Sequence, residues 1–417
     1  MKGNQPPGTS RRRFLKTALM AAAGISGVLT LAHIRKPFLV NPCRNPTGMD
    51  LDQDPWLTHI WQGLDPAQVW DCHVHLAGIG DSDHGLYVGQ KLQSLWHPVL
   101  YSQRLFYLNA GCVSARESGT VDENYVHRLA LLTRSMPAGV KSMLLAFDWF
   151  HDDDGQPVPG SSTFYVPNSF ARQMAEEHPD VFEWVASIHP YRVDAVDQLE
   201  AAAAQGARAV KWLPAAQNID PASSRCDAFF AALARLRLPL ITHCGKESAA
   251  QAGVNLDPLG NPLRLRRMLD AGVKVVVAHC ASQGEDEDLD KPGTRQESFD
   301  LFARLMDQPE WKKNLFGDIS AVVLRNRKPE VIKTLLTRED WHGRLLNGSD
   351  YPLPGVLPVV SLSRFVRHGL LSKNAAANLR ALRQTNALHF DLALKRSLSW
   401  RGKSFPARVF ETRAFFG

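Results

Sequence analysis

Five apolar runs in this chain end in, or carry, residues that bind divalent metals. VWDCHVHL closes on His73 and His75, AVKWLP carries Lys211, LPLITHCG carries His243, VVVAHC reaches His279, and LLNGSDYP brings Asp350. Imidazole and carboxylate together suit a borderline-hard ion such as zinc, and three or four protein ligands with a position left for water make a site catalytic rather than structural. A lone His-x-His is weak evidence, because a histidine is more often a surface or satisfied core residue. A matching set spread over five runs is far more specific. The chemistry it suits is hydrolytic: a zinc ion lowers the pKa of its water from roughly 15.7 to about 7. A carboxylate at Asp350 can take that proton and pass it to a leaving amine or alkoxide, help typically worth about 10²–10⁴ in rate.

These side chains need a scaffold that gathers strand ends. Strand-like runs are predicted over 69–76, 142–148, 182–189, 207–213, 238–244, 274–280, 315–319 and 344–348. Amphipathic stretches such as VDAVDQLEAAAAQ, DAFFAALARLR, PLRLRRMLDAG and KPEVIKTLLTRE lie between them, with a further helix over 357–368. Eight strands alternating with helices predict an α/β fold, a (β/α)8 TIM barrel whose active site lies at the C-terminal strand ends. An open doubly wound sheet would need a Gly-rich phosphate turn after its first strand, which here ends in His-x-His instead. Alternation along the first strand is expected to put Asp71, His73 and His75 on one face and Cys72 and Val74 on the other. Cys72, Cys244 and Cys280, each beside a candidate ligand, are then expected to point away from it as small buried apolar residues.

The long first connection, residues 77–141, supplies Tyr87, Trp96, Tyr101, Phe106 and Tyr107 and predicts a helical insertion that caps the strand ends. The acidic loop QGEDEDLDKPGTRQE after His279 is either a mobile lid or a solvated loop. Asp318 and Asp148 could each hold a histidine N–H or simply cap a strand end. Arg325 and Arg327 could receive a substrate carboxylate or stand solvated in their loop. His84, His151 and His189 are expected to be non-ligands.

With 417 residues, 44% of them hydrophobic, the chain can bury a large core as one domain. Its net charge of +6 is misplaced: seven of the 48 basic residues and none of the 42 acidic ones precede residue 37, which leaves 41 against 42 over the rest. The body is near neutral and carries no nucleic-acid stripe. Ser10-Arg11-Arg12-Arg13-Phe14-Leu15-Lys16 ahead of an Ala- and Gly-rich apolar stretch resembles a twin-arginine export signal. The expected organisation is a signal or retained N-terminal anchor over 1–36, a linker over 37–65, the barrel over 66–392 and a solvated basic tail over 393–417. Export to the periplasm by the twin-arginine machinery follows, with membrane attachment only if the first segment is retained. The six cysteines show neither C-x-x-C pairing nor disulfide-scaffold density, so no essential disulfide is expected. The expected partner is a small-molecule substrate, and a homo-oligomer is compatible with this fold.

HVH, the lysine of AVKWLP, THC, AHC, NLFGDIS and LLNGSDYP resemble the metal-dependent amidohydrolase superfamily over residues 69–390, within it the branch that includes aminocarboxymuconate-semialdehyde decarboxylase. The resemblance implies His73, His75 and His243 as ligands of zinc or another divalent ion, and Asp350 as ligand and proton acceptor. It implies His279 as a second-metal ligand or as the residue that polarises substrate and water. Lys211 stands where two-metal members carry a carbamylated bridging lysine; a buried lysine paired with carboxylates is the alternative. The implied function is hydrolysis, by metal-bound hydroxide, of a C–N or C–O bond in a small amide, lactone or ester. The alternative is a metal-dependent decarboxylase or hydratase of an unsaturated acid. A ligand-binding barrel with a vestigial site ranks third, and a redox or glycosidase barrel last, for want of a dinucleotide fingerprint or a catalytic carboxylate pair.

Overall fold

A computed structural model describes residues 39–46, 54–114, 118–247 and 255–417. The export signal and part of the linker lie outside these residues. Each of the eight predicted runs contains a strand: β1 (Trp70–His75), β2 (Lys141–Leu145), β3 (Phe182–Val185), β4 (Val210–Trp212), β5 (Leu240–His243), β6 (Val275–Ala278), β7 (Leu315–Asp318) and β8 (Leu345–Leu346). All pair in parallel, in chain order, as a three-stranded sheet β1–β2–β3 and a five-stranded sheet β4–β5–β6–β7–β8. Parallel bridges join the sheet margins, Ala186 with Val210 on one side and Val74 with Tyr351 on the other. The backbone bonds there include Lys211 N to Ala186 O at 2.7 Å and Asp350 N to His73 O at 2.8 Å.

The two-residue period of the strands sorts their side chains. One set, including Trp70, Cys72, Met143, Leu145, Val185, Ala209, Ile241, Val276 and Leu346, forms a small apolar cluster. The opposite set, including Val74, Leu144, Val210, Leu240, Val275, Val277 and Leu345, joins the large core built with the helices.

Cys72 lies in the small cluster, which corrects the strict alternation expected for β1. The register runs Asp71 opposite Ser142 and then Val74 opposite Leu144, so two residues of β1 face one of β2. This bulge lets Cys72 share the inner cluster with Trp70 while His73 still reaches the site, and it turns Asp71 to accept from Ser349 N at 2.7 Å. Cys244 and Cys280 pack in the large core as expected.

Three other expectations are corrected. The C-terminal segment is folded: it forms helices Ala387–Ser397 and Arg413–Phe416, Phe416 enters the inner cluster, Thr412 Oγ1 donates to Trp70 O, and Asn347 N donates to Val409 O at 2.8 Å. Lys395 is fully buried against Asp391, and Phe405, Phe410 and Phe416 are each 5% exposed or less. The acidic loop after His279 is a hairpin, Glu285–Glu287 antiparallel to Arg295–Glu297, fastened by Arg304 to the fully buried Asp288 at 2.7 Å and to Asp290 at 2.9 Å. Cys43 and Cys112 form a disulfide across 69 residues, tying the linker to the turn after the helix Pro98–Ala110. Spacing alone cannot reveal a pairing made by distant packing.

Between β1 and β2 lie helices Gln90–Gln93, Pro98–Ala110 and Val121–Arg134, with a short strand Tyr87–Val88 paired to Phe164–Tyr165. Thr120 caps the third helix by accepting from Glu123 N. Its buried Tyr125 donates to His75 O at 2.9 Å, which ties the helix to the end of β1.

Candidate metal centre

The site forms where β1, β4, β5, β6 and the loop after β8 end together. His73, His75, Lys211, His243, His279 and Asp350 all line one cavity of about 550 Å3. The backbone is strained where it turns to present them. Asp350 has φ +60°, His279 +56°, Cys280 +49° and Ala281 +50°, left-handed values that cost non-glycine residues about 1 kcal/mol or more each and concentrate at functional sites. Gly348 lets the Asp350 loop approach β1, because a Cβ there would sit 2.6 Å from His73 Cβ.

His73 is committed on both nitrogens. Nδ1 lies 2.9 Å from Asp318 Oδ2, so the hydrogen-bond network assigns it the proton and leaves the Nε2 lone pair facing the cavity. There Nε2 is 3.2 Å from Lys211 Nζ and 3.7 Å from Asp350 Oδ1. His75 Nε2 is 3.1 Å from the same Asp350 oxygen, and His279 Nε2 is 3.9 Å from Oδ2. His279 Nδ1 is occupied by Ser320 Oγ at 2.7 Å. Among the described residues, His73, His75 and Asp350 form one group whose ligand atoms lie within 4.8 Å of one another. His73, His279 and Asp318 form another, but its Asp318 is already the hydrogen-bond partner of His73 Nδ1.

Electrostatics keep the ligands ready. Burial, with Lys211 nearby, pushes His73 down to about 4, so the ring is neutral and a lone pair is available at neutral pH. Burial likewise lowers Lys211 and His279. For Asp350 burial acts the other way, but the facing histidines, His279 foremost, outweigh it and hold the carboxylate well below its ordinary range. Asp318 is held low in the same manner by His73.

The remaining candidates separate cleanly. His243 stands in neither group and turns its Nε2 toward Glu247 Oε2 at 3.5 Å and Lys246 O at 3.4 Å. Asp148 caps backbone, accepting from Trp149 N and His189 N, each at 2.8 Å. His151 and His189 pack ring against ring at a 33° tilt, and His84 stacks on Phe170, with none of the three lining the cavity. Arg325 and Arg327 both line the cavity, but Arg325 is exposed whereas Arg327 is only 7% exposed. Tyr107, from the insertion expected to cap the strand ends, lines the cavity, and so does Glu247, to which sequence reasoning assigned no place in the site; for Glu247 the available signal was a carboxylate four residues beyond His243 in HCGKE.

A parallel α/β fold that gathers imidazoles and a carboxylate at its strand ends defines a metal-binding enzyme class. The donor set fits a divalent ion by its chemistry: two imidazole nitrogens and a carboxylate line one side of the cavity. The chain belongs to the amidohydrolase family, whose sequence model matches residues 70–388. A search of curated proteins finds no significant match. Among solved structures, a 5-carboxyvanillate decarboxylase from Novosphingobium aromaticivorans complexed with manganese is 12% identical, with 85% of this chain and 97% of that chain covered and a TM-score of 0.46. A protein from Acinetobacter baumannii described as a probable 2-pyrone-4,6-dicarboxylic acid hydrolase is also 12% identical, with 78% and 99% covered and a TM-score of 0.44. One of these two similar structures is described as a probable hydrolase and the other as a decarboxylase.

Proposed function

We propose that this protein is a metal-dependent hydrolase that cleaves a C–N or C–O bond in a small amide, lactone or ester. One divalent ion, zinc or another, would be held by His73, His75 and Asp350 at the mouth of a closed eight-stranded barrel. The backbone bonds at both sheet margins support that closure, and the helices between β1 and β2 support an insertion that caps it. The observation that carries the function is Asp350, a carboxylate that the facing histidines hold well below its ordinary range and that meets His73, His75 and His279 in one cavity. When bound, a divalent ion supplies Lewis acidity, acidifying water and polarising an acyl oxygen. Asp350 would accept a proton at a carboxylate oxygen and return it to the leaving amine or alkoxide. His279, with Nδ1 occupied by Ser320, presents Nε2 to the substrate. Asp318 keeps His73 in the tautomer that a ligand needs.

Lys211, with Nζ 3.2 Å from His73 Nε2, would serve as a substrate-facing or structural amine; a carbamylated Lys211 with a second ion at His243 and His279 is the competing arrangement. A decarboxylase is the second reading, favoured by the turn of His243 toward Glu247, which leaves a one-ion ligand group. Chelated and reloaded protein, assayed against lactones, anilides, esters and unsaturated acids, tests the proposal. Metal-restored release of an amine or alcohol supports hydrolysis, and metal-restored CO2 release with no hydrolysis overturns it. Metal analysis of Lys211→Ala decides the stoichiometry: one equivalent before and after substitution supports a single ion, and two falling to one or none overturns it. We propose further that the N-terminal segment exports the protein by the twin-arginine route; Arg11→Lys with Arg12→Lys should leave precursor in the cytoplasm, and undiminished export would refute it.

A further inference from the structure

Arg327 is a buried cation with no hydrogen-bond or ion-pair partner among the described residues. It is 7% exposed, its Nε and Nη1 meet no hydrogen-bond acceptor, and its side chain borders the same cavity as the metal ligands. Burial pushes its pKa down to about 10, with the negative charges of Asp350 and Glu247 only partly offsetting the effect, and at neutral pH it remains charged. Arg383, the other buried arginine among the described residues, is satisfied. It donates to four backbone carbonyls, of Pro354, Val356, Leu357 and Val360. A charged guanidinium is costly to bury unpaired and is retained where an anion completes it. The planar donor fork suits a carboxylate, and the volume of the cavity suits a small molecule. Phe147, Phe164, Val166, Leu213 and Leu324 give it apolar walls that would cover the body of a compact, flat ligand.

We propose that Arg327 is the anchor for a carboxylate on the substrate, so that this enzyme acts on small carboxylic acids with an apolar body. The inference rests on the proposed hydrolytic site and specifies what that site accepts. Arg327 is then a binding residue, outside the metal cage.

The test uses the full chain loaded with zinc, with benzoate, isophthalate, glutarate and fumarate as probes in calorimetric titrations. The wild type should bind at least one of them saturably. Arg327→Gln should weaken that binding about 100-fold, as expected when one partner of a buried charge pair is removed. Arg327→Lys should recover part of it, and metal content should stay unchanged in both variants. Dimethyl isophthalate and inorganic phosphate should bind far more weakly than the acids. Saturable binding of none of the acids, equal binding by Arg327→Gln, or equally tight binding of phosphate would overturn the proposal. A second readout does not depend on the probe. Arg327→Met removes an unpaired buried charge, so the ligand-free protein should melt at the same or a higher temperature, and a marked drop would identify Arg327 as a structural residue instead. Failure of the anchor is distinguishable from failure of the reaction: undiminished hydrolysis of acid substrates by Arg327→Gln refutes only the anchor. Arginine-dependent acid binding without metal-dependent hydrolysis of any substrate refutes only the reaction.

Discussion

His73 shows how much a single residue must satisfy at once: Nδ1 faces Asp318, Nε2 faces the cavity, and burial keeps the ring neutral. Asp318 is therefore a positioning residue. Asp318→Asn keeps the shape and an acceptor oxygen but removes the charge, so zinc affinity, measured by competition with a chromophoric chelator, should fall about 10–100-fold with the fold intact. Asp350→Asn should behave differently. It should retain some metal and lose about 10²–10⁴ in turnover, because the proton acceptor is gone while the histidines remain; full activity would dismiss Asp350 as the base. At this scale the His-x-His pair and Asp350 were legible in the sequence, since their types and their places at the ends of apolar runs announce ligand chemistry. Glu247 was not legible, because a glutamate in a polar loop looks solvated until the fold places it beside His243.

At the scale of elements, period-two reasoning located all eight strands yet misplaced Cys72, because one bulged residue shifts every side chain that precedes it to the other face. Cys72→Ser places a hydroxyl in the small apolar cluster. A loss of about 1–3 kcal/mol in urea unfolding is expected if the hydroxyl finds no acceptor. The C-terminal helix Arg413–Phe416 closes the same cluster, and Phe416→Ala should destabilise the protein by about 3–5 kcal/mol. A change below 0.5 kcal/mol would mean that this segment behaves as the solvated tail its basic composition suggested. Composition misled there because four phenylalanines among the twenty-five residues 393–417 outweigh scattered charges once a docking surface exists, and a docking surface is not a property of the segment itself.

For the whole molecule, acid sensitivity follows from buried neutral histidines. His389 is 1% exposed, accepts from Trp61 Nε1 at 2.9 Å, and is pushed by burial from 6.5 down to about 4. The unfolded chain takes up this proton first, so the stability is fully present above pH 6.5 and is lost as pH falls toward 4, by about 3 kcal/mol from this one group. Urea midpoints between pH 7 and 4 should show it, with a shallower slope in His389→Gln; an identical slope would assign the effect to other groups. The Cys43–Cys112 disulfide should contribute about 2–4 kcal/mol by closing a long loop, measurable as the difference between wild type and the Cys43→Ser, Cys112→Ser double variant. What the sequence by itself determined was the alternation of strands and helices, and with it the set of strand ends carrying ligand chemistry, because periodicity and residue type are local quantities. Tertiary structure alone decided which of those side chains meet. It drew His73, His75 and Asp350 into one group, turned His243 toward Glu247, left Arg327 buried without an acceptor and joined two cysteines 69 residues apart. Distances of a few ångströms between residues far apart in the chain depend on register, bulges and loop packing, and none of these is written in any single segment.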